Sequence, residues 1–258
     1  MSRTKIPWAK YSINPLRVQG GGFHCTKVSA GCQNCYAERM NLHRFRGLPY
    51  DNRKVEWKVD LSCFDTLPKR GGGIVFLQSM SDLFHFDVPL PLRFEIIKKA
   101  GQLGNHIFVI LTKRPGLARY HFGEQNLPDN LWLGVSVEDQ QTADERIPKL
   151  LQIPAAKRLV SYEPALGELN IEPYLQYPPL HEKYKLTLGM DEWWGIDWVI
   201  AGCESGTGRR LAEIDWFRSV RDQCLDAGVP YFLKQMQING KVVEMPLLDG
   251  IREQALYY

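Results

Sequence analysis

Cys25, Cys32 and Cys35 fall within eleven residues, in the run His24-Cys25-Thr26-Lys27-Val28-Ser29-Ala30-Gly31-Cys32-Gln33-Asn34-Cys35-Tyr36. Thiolates are the ligands of soft metals and of iron–sulfur clusters. A closed structural zinc site wants four protein ligands. Three thiolates on a short loop can instead wrap three corners of a [4Fe–4S] cube and leave one iron open, which suits an enzyme more than a binding scaffold. Two other readings stand beside the cluster: a zinc site completed by His24 or His43, and ordinary thiols. The remaining cysteines, Cys63, Cys203 and Cys224, are scattered, so the grouping of three is distinctive. Gly31 lets the backbone turn tightly between the first two ligands.

Further polar groups recur just behind short apolar runs: Ser79, Ser81, Asp82 and His85; Thr112, Lys113 and Arg114; Ser136, Glu138 and Asp139; Ser161 and Glu163; Glu204 and Ser205; Lys234 and Gln235. Asp82 with its neighbouring hydroxyls suits an ammonium group, because ionised acceptors make the stronger hydrogen bonds; the same residues also suit a turn or helix cap. His85 reads as a ligand, a base or a buried structural imidazole. Ser136 and Glu138 suit sugar hydroxyls, although Ser136 to Asp139 also resembles a capping box. Lys113 and Arg114 precede Pro115, a helix-start signal, and that junction offers cations and free N–H groups to an anion. Glu163 and Glu204, flanked by apolar residues, are candidate proton acceptors or substrate ligands. Cys203 could donate a hydrogen atom to a substrate radical; an isolated cysteine is more often a small buried hydrophobe. Arg39, Arg44, Arg46 and Arg53, interleaved with His43, Phe45 and Tyr50, suit single-stranded nucleic acid, as do Arg209, Arg210 and Lys234; the other reading is a solvated helix face.

The elements that must position these groups are legible as alternating runs. Strands are expected at 73–77, 107–111, 131–135, 158–160, 198–201 and 230–233, each continuously apolar, as in parallel strands buried on both faces. Helices are expected at 90–103, 115–120, 138–151 and 215–227, the last with Asp215 as N-cap and Gly228 as its C′ stop. This βα rhythm predicts a parallel α/β fold, a partial or complete (β/α) barrel, with a first strand near 16–22 leading into the cysteine loop. Barrel strands aim their C-terminal ends at the active site, where the polar groups above would gather. One domain spanning residues 1–258 is expected, with an insertion at about 173–195 carrying Trp193-Trp194 as a lid or substrate loop.

Composition is that of an ordinary globular chain: 258 residues, 44% hydrophobic, 24% charged, net charge +3. So mild a charge excludes a binder driven by basic tails. Residues 1–10 do not read as a signal peptide, and no apolar run approaches the ~20 residues of a membrane helix. Six cysteines in this pattern are not a secreted disulfide framework, so a reducing cytoplasm is expected.

The run from Cys25 to Glu38 resembles a phage-associated three-cysteine-motif family of unknown function that is related to the radical S-adenosylmethionine (SAM) enzymes. So do Ser79-Met80-Ser81-Asp82-Leu83-Phe84-His85, Leu111-Thr112-Lys113-Arg114-Pro115, Gly134-Val135-Ser136-Val137-Glu138, Ser161-Tyr162-Glu163-Pro164 and Ala201-Gly202-Cys203-Glu204-Ser205-Gly206. The resemblance implies a barrel of the radical-SAM type in which Cys25, Cys32 and Cys35 hold a [4Fe–4S] cluster and SAM chelates the open iron. It implies Ser79, Ser81 and Asp82 at the SAM amino group, Ser136 and Glu138 at its ribose, and Lys113 at its carboxylate. An external donor would reduce the cluster, cleaving SAM to methionine and a 5′-deoxyadenosyl radical that takes a hydrogen from the substrate. Cys203, Glu204 and Glu163 are then the candidates for work on that substrate, for which the phage association and basic patches suggest a nucleotide or nucleic-acid base. Six residues separate Cys25 from Cys32, a wider gap than the radical-SAM motif uses, and Asn34 stands where that motif has an aromatic. The alternative is a non-enzymatic zinc or iron–sulfur protein that recognises nucleic acid; a pure binding module has no need of the strand-end carboxylates.

Overall fold

A strand that is apolar at every position must satisfy a core on each side, and the chain supplies two. In a computed structural model, residues 4–123, 127–175 and 195–255 are described. Eight strands form one sheet: β1 (Tyr11–Ile13), β4 (Ile74–Leu77), β5 (Ile107–Thr112), β6 (Leu131–Val137), β7 (Arg158–Tyr162), β8 (Trp198–Gly202), β9 (Tyr231–Ile238) and β10 (Lys241–Glu244), in that spatial order. In this sheet β1, β4, β5, β6, β7, β8 and β9 run parallel and β10 is antiparallel to β9. The sheet is curled into a half-barrel, in keeping with the partial barrel expected. Among the described residues, helices that link consecutive strands of this sheet are α2 (Leu90–Gly101), α3 (Pro115–Phe122), α4 (Gln140–Leu151) and α5 (Ile214–Asp226).

Alternate strand residues serve the two cores. Val75, Leu77, Phe108, Ile110, Leu133, Val135, Val160 and Val199 join helix residues such as Ile96, Ile147 and Phe217 in the outer cluster. The opposite parity, Ile74, Phe76, Val109, Trp132, Leu159, Trp198, Ile200 and Phe232, closes on Trp8 in a separate inner cluster. Trp8 comes from the segment before β1, with its ring 4.9 Å from Phe76 and 6.1 Å from Trp198. This inner core fills the lumen towards the N-terminal ends of the strands. Continuing the same parity towards the C-terminal ends gives Lys113, Ser136, Glu138, Ser161, Glu163 and Gly202, so one inner face passes from apolar floor to polar mouth.

Several local expectations are corrected. The first sheet strand is Tyr11–Ile13, not 16–22: Asn14-Pro15 breaks the chain there, and β2 (Leu16–Val18) turns away to pair antiparallel with β3 (Trp57–Val59). Asp215 lies inside α5, whose N-cap is Glu213, without a side-chain cap bond. Gly228 does follow α5 in the left-handed region, φ 67°. The capping box of α4 is formed by Asp139 and Thr142, not Ser136 and Asp139. The expected insertion with Trp193-Trp194 falls mostly at 176–194, outside the described residues; its flanks meet in a parallel bridge between Leu175 and Ile196. An antiparallel tail was not anticipated: β10, then β11 (Leu247–Leu248) and β12 (Ile251–Arg252). Among the described residues no helix is long and apolar enough to cross a membrane.

Candidate functional site

The cysteine loop lies against the polar mouth of the half-barrel. Cys32 ends a single 3-10 turn, Ala30–Cys32, and Cys35 is the N-cap of α1 (Tyr36–Arg44). Cys25 and Cys35 pack on Phe23, Ala37, Tyr50 and Met80, an apolar patch of its own. Burial pushes the Cys25 thiol up to about 11 against the opposing pull of the Arg114 guanidinium, 3.7 Å away. Burial raises Cys35 as well. All six cysteines are free thiols. Among the described residues no three His, Cys, Asp or Glu side chains are grouped so as to hold a metal ion. His24 is buried, with neither ring nitrogen hydrogen-bonded among the described residues, and its ring neighbours are Tyr50, Trp57 and His85. His43 is exposed on α1.

Three strand-end carboxylates turn towards this loop. Glu138, following β6, is wholly buried. It is paired with Lys113 and, at 3.1 Å, with Arg146, and it accepts the Ser29 hydroxyl at 2.8 Å. Burial would raise its pKa, but the two cations hold the carboxyl below its ordinary range. Glu204, after β8, accepts from Asn34 Nδ2 at 2.9 Å and from the Arg210 backbone N–H at 2.8 Å, and also pairs with the Arg210 guanidinium. Here too burial opposes and the hydrogen bonds win, keeping the carboxyl low. Asp82 accepts from Phe84 N–H, Thr112 Oγ1, Lys113 N–H and, at 2.9 Å, Arg114 Nη1. Arg114 carries the link onward to Thr26, whose hydroxyl and carbonyl it meets at 2.7 and 2.9 Å. Bonds of this charged kind are the strong ones, and removing either partner leaves an uncompensated buried charge.

The fourth strand-end carboxylate differs. Glu163 Oε2 accepts from Lys234 Nζ at 2.8 Å, and Oε1 is buried with no hydrogen-bond partner among the described residues. Lys234 is the extra residue of a bulge between the pairs Ala201–Leu233 and Gly202–Gln235; bulges re-aim side chains beside functional sites. Gly202 leaves the room this pair occupies, since a Cβ there would come 3.0 Å from Glu163 Oε1. Cys203, of opposite parity, is buried in the outer apolar cluster, where burial pushes its thiol up to about 11.

The remaining candidates find these places. The Ser79 hydroxyl meets Ser12 Oγ at 3.0 Å, and Ser81 Oγ accepts from Gln78 Nε2 at 2.6 Å. Ser136 is half-buried, and its carbonyl accepts from Arg146 at 2.6 Å. His85 is a buried structural ring, hydrogen-bonded to Thr26 Oγ1 and held neutral to about 4 by burial. Of the basic groove, Arg39 meets the Ser205 carbonyl, Arg209 that of Gly206, and Arg53 pairs with Asp51, while Arg44 and Arg46 are exposed. Ser29, Asn34 and Arg146 escaped the sequence reading. Arg146 had a signal: it sits on the buried stripe of α4 with Ala143, Ile147 and Leu150, and a charge on such a stripe needs a buried partner.

No curated protein and no solved structure matches the chain. One family model does, over residues 3–246, and the chain belongs to the family it describes, "Protein of unknown function (DUF5131)".

Proposed function

We propose that this protein is an iron–sulfur enzyme of the radical-SAM type, in which Cys25, Cys32 and Cys35 hold a [4Fe–4S] cluster whose open iron takes SAM. One observation carries the reading: a three-cysteine loop lies at the C-terminal end of a parallel half-barrel, the end where barrel enzymes build their active sites. The donor chemistry supports it. An all-sulfur set of three suits an iron–sulfur cluster with one open iron, whereas a closed tetrahedral zinc site would need a fourth protein ligand.

When bound, the cluster and SAM supply the one-electron chemistry that cleaves SAM to methionine and a 5′-deoxyadenosyl radical, with the electron coming from an external donor. The chain's own residues supply the setting. Phe23, Ala37, Tyr50 and Met80 give Cys25 and Cys35 an apolar surround, and Arg114 offsets negative charge beside Cys25. Ser79, Ser81 and Ser136 offer hydroxyls at the ends of β4 and β6 for a polar cofactor. Asp82, Lys113 and Glu138 act on it through the cations and hydroxyls they orient. Glu163 and Lys234 are the polar pair best suited to a substrate, because Glu163 Oε1 can accept a proton or an N–H that no described protein group uses. Cys203 would reach substrate only by leaving the outer core, and Glu204 works on the loop. A nucleotide or nucleic-acid base remains the proposed substrate class, supported by the exposed Arg44 and Arg46 beyond the loop.

The test is anaerobic reconstitution followed by EPR of the reduced protein with and without SAM, assaying 5′-deoxyadenosine in the same sample. A [4Fe–4S]⁺ signal that SAM perturbs, with deoxyadenosine formed and colour lost in Cys32→Ala, is the expected result. A colourless zinc-loaded protein, or a cluster indifferent to SAM, would overturn the reading.

A further inference from the structure

We propose that Ser29 and Asn34 are positioning residues that fasten the cysteine loop to Glu138 and Glu204, so that the segment carrying Cys32 and Cys35 is held at the barrel mouth before any metal arrives. The inference borrows from the proposed function only the purpose of the loop; the fastening stands on geometry. Ser29 Oγ donates to Glu138 at 2.8 Å, and Asn34 Nδ2 donates to Glu204 at 2.9 Å and to the Gly208 carbonyl at 3.0 Å. The two anchors therefore flank Cys32 and stop one residue short of Cys35. Between them the turn is closed by Cys32 N–H to Ser29 O at 3.0 Å and Gln33 N–H to Ala30 O at 3.1 Å. Arg210, itself held by Glu204, adds a bond to the Ala30 carbonyl at 3.0 Å.

Both anchors are fixed from behind. Glu138 is wholly buried between Lys113 and Arg146, and Glu204 is held by the Arg210 backbone and guanidinium. The loop must therefore conform to the carboxylates. Gly31 shows how closely it does so: a Cβ there would fall 2.4 Å from Glu138 Oε1. Cys25 has different fastenings, through Thr26 to Arg114 and His85, which makes it an internal control. A loop held this way is unlike a zinc finger, whose ligands find their places only as the metal binds.

The test uses the full chain, metal-free and anaerobic, as wild type, Ser29→Ala, Asn34→Ala, the double variant and Gly31→Ala. Iodoacetamide labelling is followed at each cysteine by mass spectrometry, together with the thermal melt. The same proteins are then loaded with iron and sulfide, and iron release to a chelator is timed. Each single variant is expected to speed labelling of Cys32 and Cys35 about tenfold, the factor set by losing one charge-assisted hydrogen bond. The double variant exceeds either, Cys25 keeps its wild-type rate, the melt holds, and iron release quickens in the same order. Unchanged labelling of Cys32 and Cys35 in the double variant and in Gly31→Ala overturns the inference. So does an equal rise at all three cysteines with a lowered melt, which is loss of fold rather than of a local fastening. A wild type that takes up no iron, with Cys32 and Cys35 still responding, sinks the proposed function and leaves the fastening standing. Tight iron with unresponsive thiols does the reverse.

Discussion

The floor and the mouth of the half-barrel are built by the same strands, on the same face, a few residues apart. β7 passes from Leu159 on the floor through Ser161 to Glu163 just beyond its end at the mouth. At the floor, Trp8, Phe76, Trp132, Trp198 and Phe232 form one apolar cluster, with the Trp198 indole N–H donating to the Ala255 carbonyl at 3.0 Å. At the mouth, Glu138, Glu204 and Asp82 each have a cation and a loop or turn partner. The difference teaches that a charged strand end is not by itself a ligand site. Three of the four carboxylates are used to hold the protein's own loop and turns, and Glu163 keeps an oxygen to spare. Apolar packing is tolerant and large in sum, whereas buried charge must be answered pair by pair.

Four experiments separate the two ends. Trp198→Ala should cost about 4 kcal/mol in urea unfolding, by opening a cavity in the floor, while labelling of Cys32 stays at the wild-type rate; a change in labelling would mean floor and mouth are not independent. Arg146→Met should cost about 3 kcal/mol, since it strips a buried partner from Glu138, and here Cys32 labelling should rise; a stability loss below that of a surface substitution would show the pair to be inessential. Gly134→Ala, at the join, should cost about 2 kcal/mol by overpacking, because its Cβ would meet Leu111 Cδ2 at 2.7 Å and Leu159 at 3.0 Å; a neutral result would mean the join yields easily. The last effect is one of slope. Glu138 and Glu204 are held below their ordinary value of 4.5, so the stability they lend is complete above that pH and fades as pH falls below it. Urea midpoints taken down into acid should run parallel for wild type and Trp198→Ala and flatter for Glu204→Gln. An unflattened curve for Glu204→Gln would remove that carboxylate from the account.

Much of the fold was legible because both faces of the parallel strands are buried, which leaves unbroken apolar runs such as Ile107–Thr112 and Trp198–Gly202. The first strand is hidden in the sequence because Tyr11–Ile13 is only three residues long, too short to show any pattern, while Leu16–Val18 beside it serves a different sheet. The closing hairpin does carry a sequence signal. Asn239-Gly240 joins β9 to β10 with φ of 49° and 73°, the Asn-Gly pair that favours a two-residue hairpin turn. At the site, residue types marked the right strand ends, but the sequence does not say what a carboxylate faces. Glu138 and Glu163 look alike in the chain. One is sealed by Lys113, Arg146 and Ser29, and the other is paired once. That distinction rests on contacts between residues far apart in sequence.

The same distance bears on the order of events when the chain is made. Ser29 meets a residue 109 positions later, and Asn34 one 170 positions later. At roughly 5–20 residues per second, the three thiols are synthesised roughly ten to thirty seconds before Glu204. During that interval they belong to a loose peptide, open to oxidation and to capture by whatever ion is at hand. Contacts of such long range close late in folding. The bonds that fasten the cysteine loop to Glu138 and Glu204 therefore form only once the later strands of the sheet are in place, and the loop takes its final shape last.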